Sequence, residues 1–127
     1  MDIAALIVAA GRGTRAGGGV PKQWRMLSGR RVADWTLQAF RDHPRVGRIV
    51  VVLYPDDMGQ AEDLTGAIVA TGGATRDASV AAGLEALAGD PPDAVLIHDV
   101  ARPLVSPEVI DRVIDGLAHA PGAAPAL

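Results

Sequence analysis

The sequence lacks cysteine, which excludes disulfide bonds and thiolate metal sites. Aromatic residues make up only 3% of the 127 residues, so a core must be built from alanine, valine, leucine and isoleucine. There is no excess of positive charge: the net charge of −3 and the pI of about 5.5 argue against a nucleic-acid surface. What the chain does have is 49% apolar and 21% charged residues, which is typical of globular proteins, and we expect residues 1–127 to form a single domain.

A long hydrophobic run is also missing. The apolar run that starts at Ile3 ends after about eight residues, which is too short to cross a membrane. Met1 and Asp2, which precede it, supply none of the positive charge that a signal peptide requires. We therefore expect a soluble, cytoplasmic protein.

Strands and helices are predicted to alternate along the chain. The predicted strands are 3–9, 49–54, 67–70 and 94–97. The buried faces of three predicted helices are Val32, Trp35, Thr36, Ala39 and Phe40, then Val80, Leu84 and Leu87, then Val109, Ile110, Val113, Ile114 and Leu117. Thr75 or Asp77 is expected to cap the second helix and Ser106 the third. Continuous apolar strands joined by helices predict an α/β three-layer sandwich with a mostly parallel, Rossmann-like twisted sheet.

Three polar segments follow the carboxyl ends of these strands, at 11–23, 72–79 and 98–103. Ligands of parallel α/β sheets bind at those ends, so we expect the three segments to meet in one site. The tail after Ala120 stops where a further strand is expected. We therefore expect the sequence to continue beyond Leu127, with a C-terminal part of the fold missing from these residues.

The first polar segment is rich in glycine. Exposed backbone N–H groups in such a segment suit an anion, and Arg15 and Lys22 add positive charge, which together predict a site for a nucleotide triphosphate. The run Gly11-Arg12-Gly13-Thr14-Arg15-Ala16 fits the G-x-G-x-x-A dinucleotide fingerprint. However, the glycines and the proline that follow prevent the helix that this fingerprint needs. The P-loop pattern G-x-x-x-x-G-K-[ST] is absent from the sequence.

The other two segments each have two interpretations. Asp99 either holds a divalent metal against phosphate oxygens or caps a local turn with Arg102 as its ion-pair partner. Gly72 and Gly73 either let the backbone approach a planar base, with Ser79 hydrogen-bonded to it, or they begin an ordinary helix with Ser79 on its surface. The residues alone leave both alternatives open.

Three motifs now stand in order along the chain. They are Ala-Ala-Gly-x-Gly-x-Arg…Pro-Lys-Gln at 9–23, Gly-Gly-x-x-Arg-x-x-Ser-Val at 72–80 and His-Asp-x-Ala-Arg-Pro at 98–103. With these motifs the chain from Ile3 to Leu127 resembles the 2-C-methyl-D-erythritol 4-phosphate cytidylyltransferases of non-mevalonate isoprenoid synthesis. The resemblance implies a nucleotidyltransferase fold and a reaction in which a sugar-alcohol phosphate attacks the α-phosphorus of CTP and pyrophosphate leaves. Ribitol 5-phosphate cytidylyltransferases share much of the pattern, so the acceptor stays open.

The resemblance also implies a role for each matching residue. Arg15 and Lys22 would stabilise charge at the α-phosphate, Asp99 would bind Mg²⁺, and Arg102 would hold the sugar phosphate. The implied CTP-binding residues are Ala9, Ala10, Gly11, Gly13, Gly72, Gly73 and Ser79. Chains of the family are longer, and their second half supplies further contacts and the arm of a homodimer. A non-catalytic nucleotide-binding module is the alternative from another class, and it would be expected to have lost the charged residues.

Overall fold

A computed structural model of the chain describes residues 1–10, 21–64, 66–100, 102, 105–117 and 122. Three of the predicted site residues, Gly11, Gly13 and Arg15, lie outside these described residues. The other predicted site residues are all described. None of the helices in the described ranges has the length and apolar character needed to span a membrane.

The centre of the fold is a four-stranded parallel sheet. Its strands are β1 (Ile3–Ala9), β4 (Arg48–Leu53), β5 (Ile68–Thr71) and β6 (Ala94–Asp99), in the order β5-β4-β1-β6. All seven residues of β1 are buried because this strand has a neighbour on each side and a helical layer over each face. The predicted parallel sheet is confirmed, but β6 runs two residues further than predicted and includes His98 and Asp99.

Helices cover both faces of the sheet. Alternate residues of β1 point to opposite faces: Ile3, Ala5 and Ile7 pack with helices α1 (Val32–Arg41) and α3 (Pro107–Gly116). Ala4, Leu6 and Val8 join the second core, which α2 (Arg76–Ala86) covers. This is the predicted three-layer sandwich. Two 3-10 helices, Lys22–Trp24 and Pro55–Asp63, lie in the connections.

The predicted caps hold, since the hydroxyls of Thr75 and Ser106 accept hydrogen bonds from Ala78 N and Val109 N. All three predicted helix faces were partly wrong. In α1 the buried residues are Ala33, Thr36, Leu37 and Phe40, whereas Val32, Trp35 and Ala39 are half-buried. In α2 the buried residues are Ser79 and Gly83, and Leu84 is 43% exposed. On the predicted face of α3, Ile110 and Ile114 are buried, whereas Val109, Val113 and Leu117 are half-buried.

A β-hairpin that the sequence analysis did not predict explains the position of Trp35. Its strands are β2 (Met26–Leu27) and β3 (Arg30–Arg31), and Ser28 and Gly29 form the turn with φ of 50° and 85°, as a type I′ hairpin requires. The indole N–H of Trp35 donates to Leu27 O at 2.6 Å. Trp35 therefore packs on the hairpin and leaves the core side of α1 to smaller residues.

Gly83 provides a test of the packing between α2 and β1. A Cβ at this position would lie 2.5 Å from Leu6 Cδ1 and 2.7 Å from Leu6 Cγ, and Leu6 is fully buried. Overpacking of this kind costs about 1–3 kcal/mol, whereas alanine gains only about 1 kcal/mol over glycine in a helix. We expect Gly83→Ala to lower the free energy of unfolding in a denaturant titration.

The matched control for this substitution is Gly89→Ala, because a Cβ at Gly89 meets no atom within 4 Å. It should leave the unfolding midpoint close to that of the wild type. A Gly83→Ala protein as stable as the wild type would show that α2 does not approach β1 this closely.

Candidate nucleotide-binding site

A cavity of about 180 Å³ lies at the carboxyl edge of the sheet, between the ends of β1 and β6. The strand order reverses at this point, since the chain moves from β1 to β4 and β5 on one side and returns to β6 on the other. Open α/β sheets bind ligands at such a switch point. The described residues that line the cavity are Val8, Ala10, Gly73, Ala74, Thr75, Arg76, Ser79 and Asp99.

Gly73 and Ser79 line one wall of this site, and Gly72 packs against Ala10 and Ser79 next to it. The amide of Gly72 donates to Leu53 O at 2.7 Å, which continues the pairing of β4 and β5 up to the site. Gly73 N donates to the hydroxyl of Ser79 at 3.2 Å, and Ser79 is only 1% exposed. The interpretation of Ser79 as a helix-surface residue is therefore wrong, because its side chain points from α2 toward the sheet.

The glycines are required by close packing. A Cβ on Gly72 would lie 2.5 Å from Ala10 Cβ and 2.7 Å from Ser79 Oγ, and a Cβ on Gly73 would lie 2.5 Å from Ala78 Cβ. Any larger residue would push apart the end of β1 and the start of α2. Glycine at these two positions therefore lets α2 begin close to the end of β1, with Gly73 lining the cavity.

Backbone hydrogen bonds fix the turn after β6. Val100 N donates to Val8 O at 3.1 Å, and Arg102 N donates to Asp99 O at 3.1 Å. The hydroxyl of Thr36, fully buried in α1, donates to Val100 O at 2.7 Å. This turn places the half-buried Asp99 at the cavity and leaves the side chain of Arg102 exposed.

The side chain of His98 also stabilises this turn by a hydrogen bond. Its Nε2 lies 2.9 Å from Arg102 O, and because a carbonyl only accepts, Nε2 carries the proton. Burial lowers the pKa of His98 below its ordinary value of 6.5, so the ring is neutral at pH 7. Its role in this structure is to hold the turn.

Lys22 is the first residue of the 3-10 helix Lys22–Trp24, and its side chain is exposed. It is the only lysine in the sequence. Gln23 and Trp24, which follow it, are buried with 3% and 7% exposure. The amide Nε2 of Gln23 donates to Ala9 O at 3.3 Å, which joins this helix to the end of β1.

The structure thus brings part of the predicted site together. Ala10, Gly73, Ser79 and Asp99 line one cavity, and Gly72 contacts two of them, whereas Lys22 and Arg102 are not among the described lining residues. No role was predicted for Arg76 or Gln23, although both stand in the quoted motifs. Arg76 lines the cavity at the start of α2. Gln23 could be singled out only from the structure, because the sequence does not show that its polar side chain is buried beside the exposed Lys22.

The side chains at the cavity supply few ligands for a metal. In the ranges that the structure describes, no three His, Cys, Asp or Glu side chains are grouped to hold an ion. Asp99 supplies one carboxylate, and Mg²⁺ usually binds proteins through one or two carboxylates together with substrate phosphates and water. The residues present therefore fit Mg²⁺ that arrives with a phosphorylated ligand, and they do not form a dedicated metal cage.

Comparison with known proteins decides the family. The family model for 2-C-methyl-D-erythritol 4-phosphate cytidylyltransferase matches residues 3–127. The chain belongs to this family. A 2-C-methyl-D-erythritol 4-phosphate cytidylyltransferase of Cereibacter sphaeroides is 56% identical over 132 residues, a match that covers 100% of this chain and 59% of the relative. A bifunctional IspD/IspF enzyme of Dinoroseobacter shibae is 55% identical over 129 residues, covering 99% of this chain and 32% of that protein.

Solved cytidylyltransferase structures show the same fold. The 2-C-methyl-D-erythritol 4-phosphate cytidylyltransferase of Thermus thermophilus is 39% identical with a TM-score of 0.69, and the match covers 94% of this chain and 51% of that chain. The bifunctional IspDF of Campylobacter jejuni is 26% identical with a TM-score of 0.79, covering 94% of this chain and 31% of that one. The chain therefore spans about half of the Thermus cytidylyltransferase and 59% of the Cereibacter relative.

Proposed function

We propose that the protein transfers a cytidylyl group from CTP to 2-C-methyl-D-erythritol 4-phosphate. A phosphate oxygen of the acceptor attacks the α-phosphorus of CTP, the bond to the β-phosphate oxygen breaks, and pyrophosphate leaves. The products are 4-diphosphocytidyl-2-C-methyl-D-erythritol and pyrophosphate. The observation that carries this proposal is the cavity at the switch point, which the family's glycine, serine and aspartate residues line in a chain that belongs to this family.

The cavity suits the base of the nucleotide. Its volume of about 180 Å³ lies below the roughly 300–1,000 Å³ of pockets for drug-sized ligands, so it fits one part of a nucleotide better than the whole. The peptide groups of Ala9, Ala10, Gly11, Gly72 and Gly73, with Ser79, are proposed to select cytosine. Gly13 is proposed to contact CTP as well. Ala10, Gly73 and Ser79 support this, because all three line the cavity.

The charged residues are proposed to act on the phosphates. Arg15 and Lys22 stabilise the charge that develops at the α-phosphate, and Arg102 holds the phosphate of the acceptor. Nucleotidyl transfer needs positioning and electrostatic stabilisation more than covalent catalysis, so positively charged side chains suit it. Asp99 is proposed to hold Mg²⁺, which would neutralise charge on the triphosphate when bound.

The wider organisation of the protein is also a proposal. Residues 1–127 are proposed to form one nucleotide-binding unit, because a single sheet carries both helical layers. This unit would be the N-terminal portion of a longer domain, which functions as a cytoplasmic homodimer through parts outside this sequence. The proposed partners are CTP and a sugar-alcohol phosphate.

CTP with Mg²⁺ is expected to raise the melting temperature of the full-length protein. A ligand present at one hundred times its dissociation constant stabilises the folded state by about 2.7 kcal/mol. ATP and GTP should give much smaller shifts because the cavity is proposed to read cytosine. Thermal unfolding with each nucleotide measures this, and equal shifts for all three would contradict the assignment of the base.

The reaction itself is tested by pyrophosphate release. The full-length protein is given CTP, Mg²⁺ and one acceptor at a time from a panel that contains 2-C-methyl-D-erythritol 4-phosphate and ribitol 5-phosphate. Release that is fastest with the first acceptor supports the proposal, and release that is fastest with ribitol 5-phosphate would reassign the acceptor. If the protein binds CTP but releases no pyrophosphate with any acceptor, it would be a nucleotide-binding module without catalytic activity.

A further inference from the structure

Lys22 is an exposed side chain on a fixed piece of backbone. Pro21 precedes it with φ of −53°, and Trp24 N donates to Pro21 O at 3.0 Å. Trp24 belongs to the main hydrophobic core, and the guanidinium of Arg31 lies 5.3 Å from the centre of its ring. The residue between Lys22 and Trp24 is Gln23, whose polar side chain is almost completely buried.

The buried side-chain amide of Gln23 links the end of β1 to the 3-10 helix that carries Lys22. Its Nε2 donates to Ala9 O, at the last residue of β1, and the next residue along the chain, Ala10, lines the cavity. Residues 11–20 of the glycine-rich segment, which lie outside the described residues, connect Ala10 to Pro21. Gln23 therefore connects the point where this segment leaves the sheet with the turn that carries Lys22.

We propose that Gln23 is a positioning residue, whose amide N–H holds the turn that carries Lys22 against the end of β1. The inference rests on the proposed function, because Gln23 acts through the role of Lys22 at the α-phosphate. A buried carbonyl such as that of Ala9 needs a donor, and a buried side chain that supplies one is held in a single geometry. Displacement of a reacting or stabilising group by about 1 Å can cost roughly 10²-fold in rate.

Two substitutions separate the hydrogen bond from the shape of the side chain. Gln23→Met keeps the length and removes the donor. Gln23→Glu keeps the shape, but its carboxylate cannot donate and faces the Ala9 carbonyl. Once protonated, the same carboxyl group donates again, and burial raises the pKa of such a group.

In the full-length protein we expect Gln23→Met to lower kcat by roughly 10- to 100-fold, with a change in KM for CTP of less than threefold. The kcat of Gln23→Glu should be similarly low at pH 8 and should recover relative to the wild type as the pH is lowered to 6. The control is Gln38→Met on α1, because the amide of Gln38 donates to Asp42 one helical turn away and this variant should keep the wild-type kcat.

A positioning role also predicts how Gln23 couples to Lys22. In a Lys22→Ala background, Gln23→Met should lower kcat by less than twofold further, because the group that Gln23 positions is already absent. A purely structural role would lower kcat by the same factor in both backgrounds. A second readout does not depend on turnover: CTP with Mg²⁺ should protect Lys22 from acylation, measured on its peptide by mass spectrometry, and Gln23→Met should weaken this protection.

The outcomes separate this inference from the proposed function. A wild-type protein that binds CTP and releases no pyrophosphate contradicts the proposed function. An active wild type together with a Gln23→Met protein of unchanged kcat and unchanged Lys22 protection overturns the positioning role. A Gln23→Glu protein whose deficit is the same at every pH also overturns it, and this comparison holds within one folded protein even if Gln23→Met is unstable.

Discussion

Replacement of Lys22 by alanine is expected to lower kcat by roughly 10²- to 10³-fold, the scale for loss of one preorganised donor to a developing negative charge. The backbone on both sides of Lys22 is held by Pro21, by the Gln23 amide and by the buried Trp24. A cation delivered in this way is proposed to stabilise charge that appears during the reaction. CTP affinity should fall much less, because the other contacts to the ground state remain.

Steady-state kinetics of the full-length variant at saturating CTP measure this effect. Lys22→Arg should restore only part of kcat, since a planar guanidinium does not replace a compact ammonium group. Arg112→Ala, which removes an exposed positive charge on α3, should leave kcat unchanged and serves as the control for net charge. A raised KM with unchanged kcat in Lys22→Ala would make Lys22 a binding residue and remove it from the catalytic group.

The strands of the sheet were predicted well because the pattern that indicates them involves residues that are close together in the chain. The apolar run of β1 is confirmed over Ile3–Ala9, since a strand buried on both faces is a continuous apolar segment. The caps at Thr75 and Ser106 are confirmed for the same reason, because capping depends on residues three positions apart. Predictions of this kind need no knowledge of what packs above them.

Helix faces were predicted less well because tertiary contacts choose among several apolar stripes. In α2 the stripe that faces the sheet contains Ser79 and Gly83, since the helix approaches Leu6 too closely for leucine. Leu84 was expected in the core and lies outside it. No periodicity of hydrophobic residues could reveal a contact face built from a glycine and a serine.

In the candidate site, too, features set by local sequence were predicted and features set by tertiary contacts were not. The three polar segments were predicted to meet. Gly73 and Ser79 of the second segment and Asp99 of the third line one cavity with Ala10, which directly precedes the first segment, and residues 11–20 of that segment lie outside the described residues. The buried hydrogen bond between Gln23 and Ala9 joins residues 14 positions apart, and only the fold shows that they are neighbours. The roles of Lys22 and Arg102 remain predictions, as does that of Arg15, which lies outside the described residues.

The second large effect is expected at Asp99, through its proposed role in holding Mg²⁺. Asp99→Asn keeps the shape of the side chain and removes its charge. We expect kcat/KM at millimolar Mg²⁺ to fall by roughly 10²-fold or more. Mutation of a residue that only hydrogen-bonds to a metal ligand already lowers metal affinity or activity by about 10- to 100-fold. The fold should persist, because the hydrogen bonds from Val100 N to Val8 O and from Arg102 N to Asp99 O use backbone atoms. The melting temperature without nucleotide should therefore stay close to that of the wild type.

A readout without turnover distinguishes metal binding by Asp99 from a structural role. In the wild type, CTP should raise the melting temperature more with Mg²⁺ than with a chelator, and in Asp99→Asn the two shifts should be nearly equal. Asp90→Asn is the control, since the Asp90 side chain is 93% exposed in the turn before β6 and should keep the wild-type response. If Asp99→Asn retains the full Mg²⁺-dependent shift but melts lower without nucleotide, the Asp99 carboxylate stabilises the turn and the metal is held by other groups.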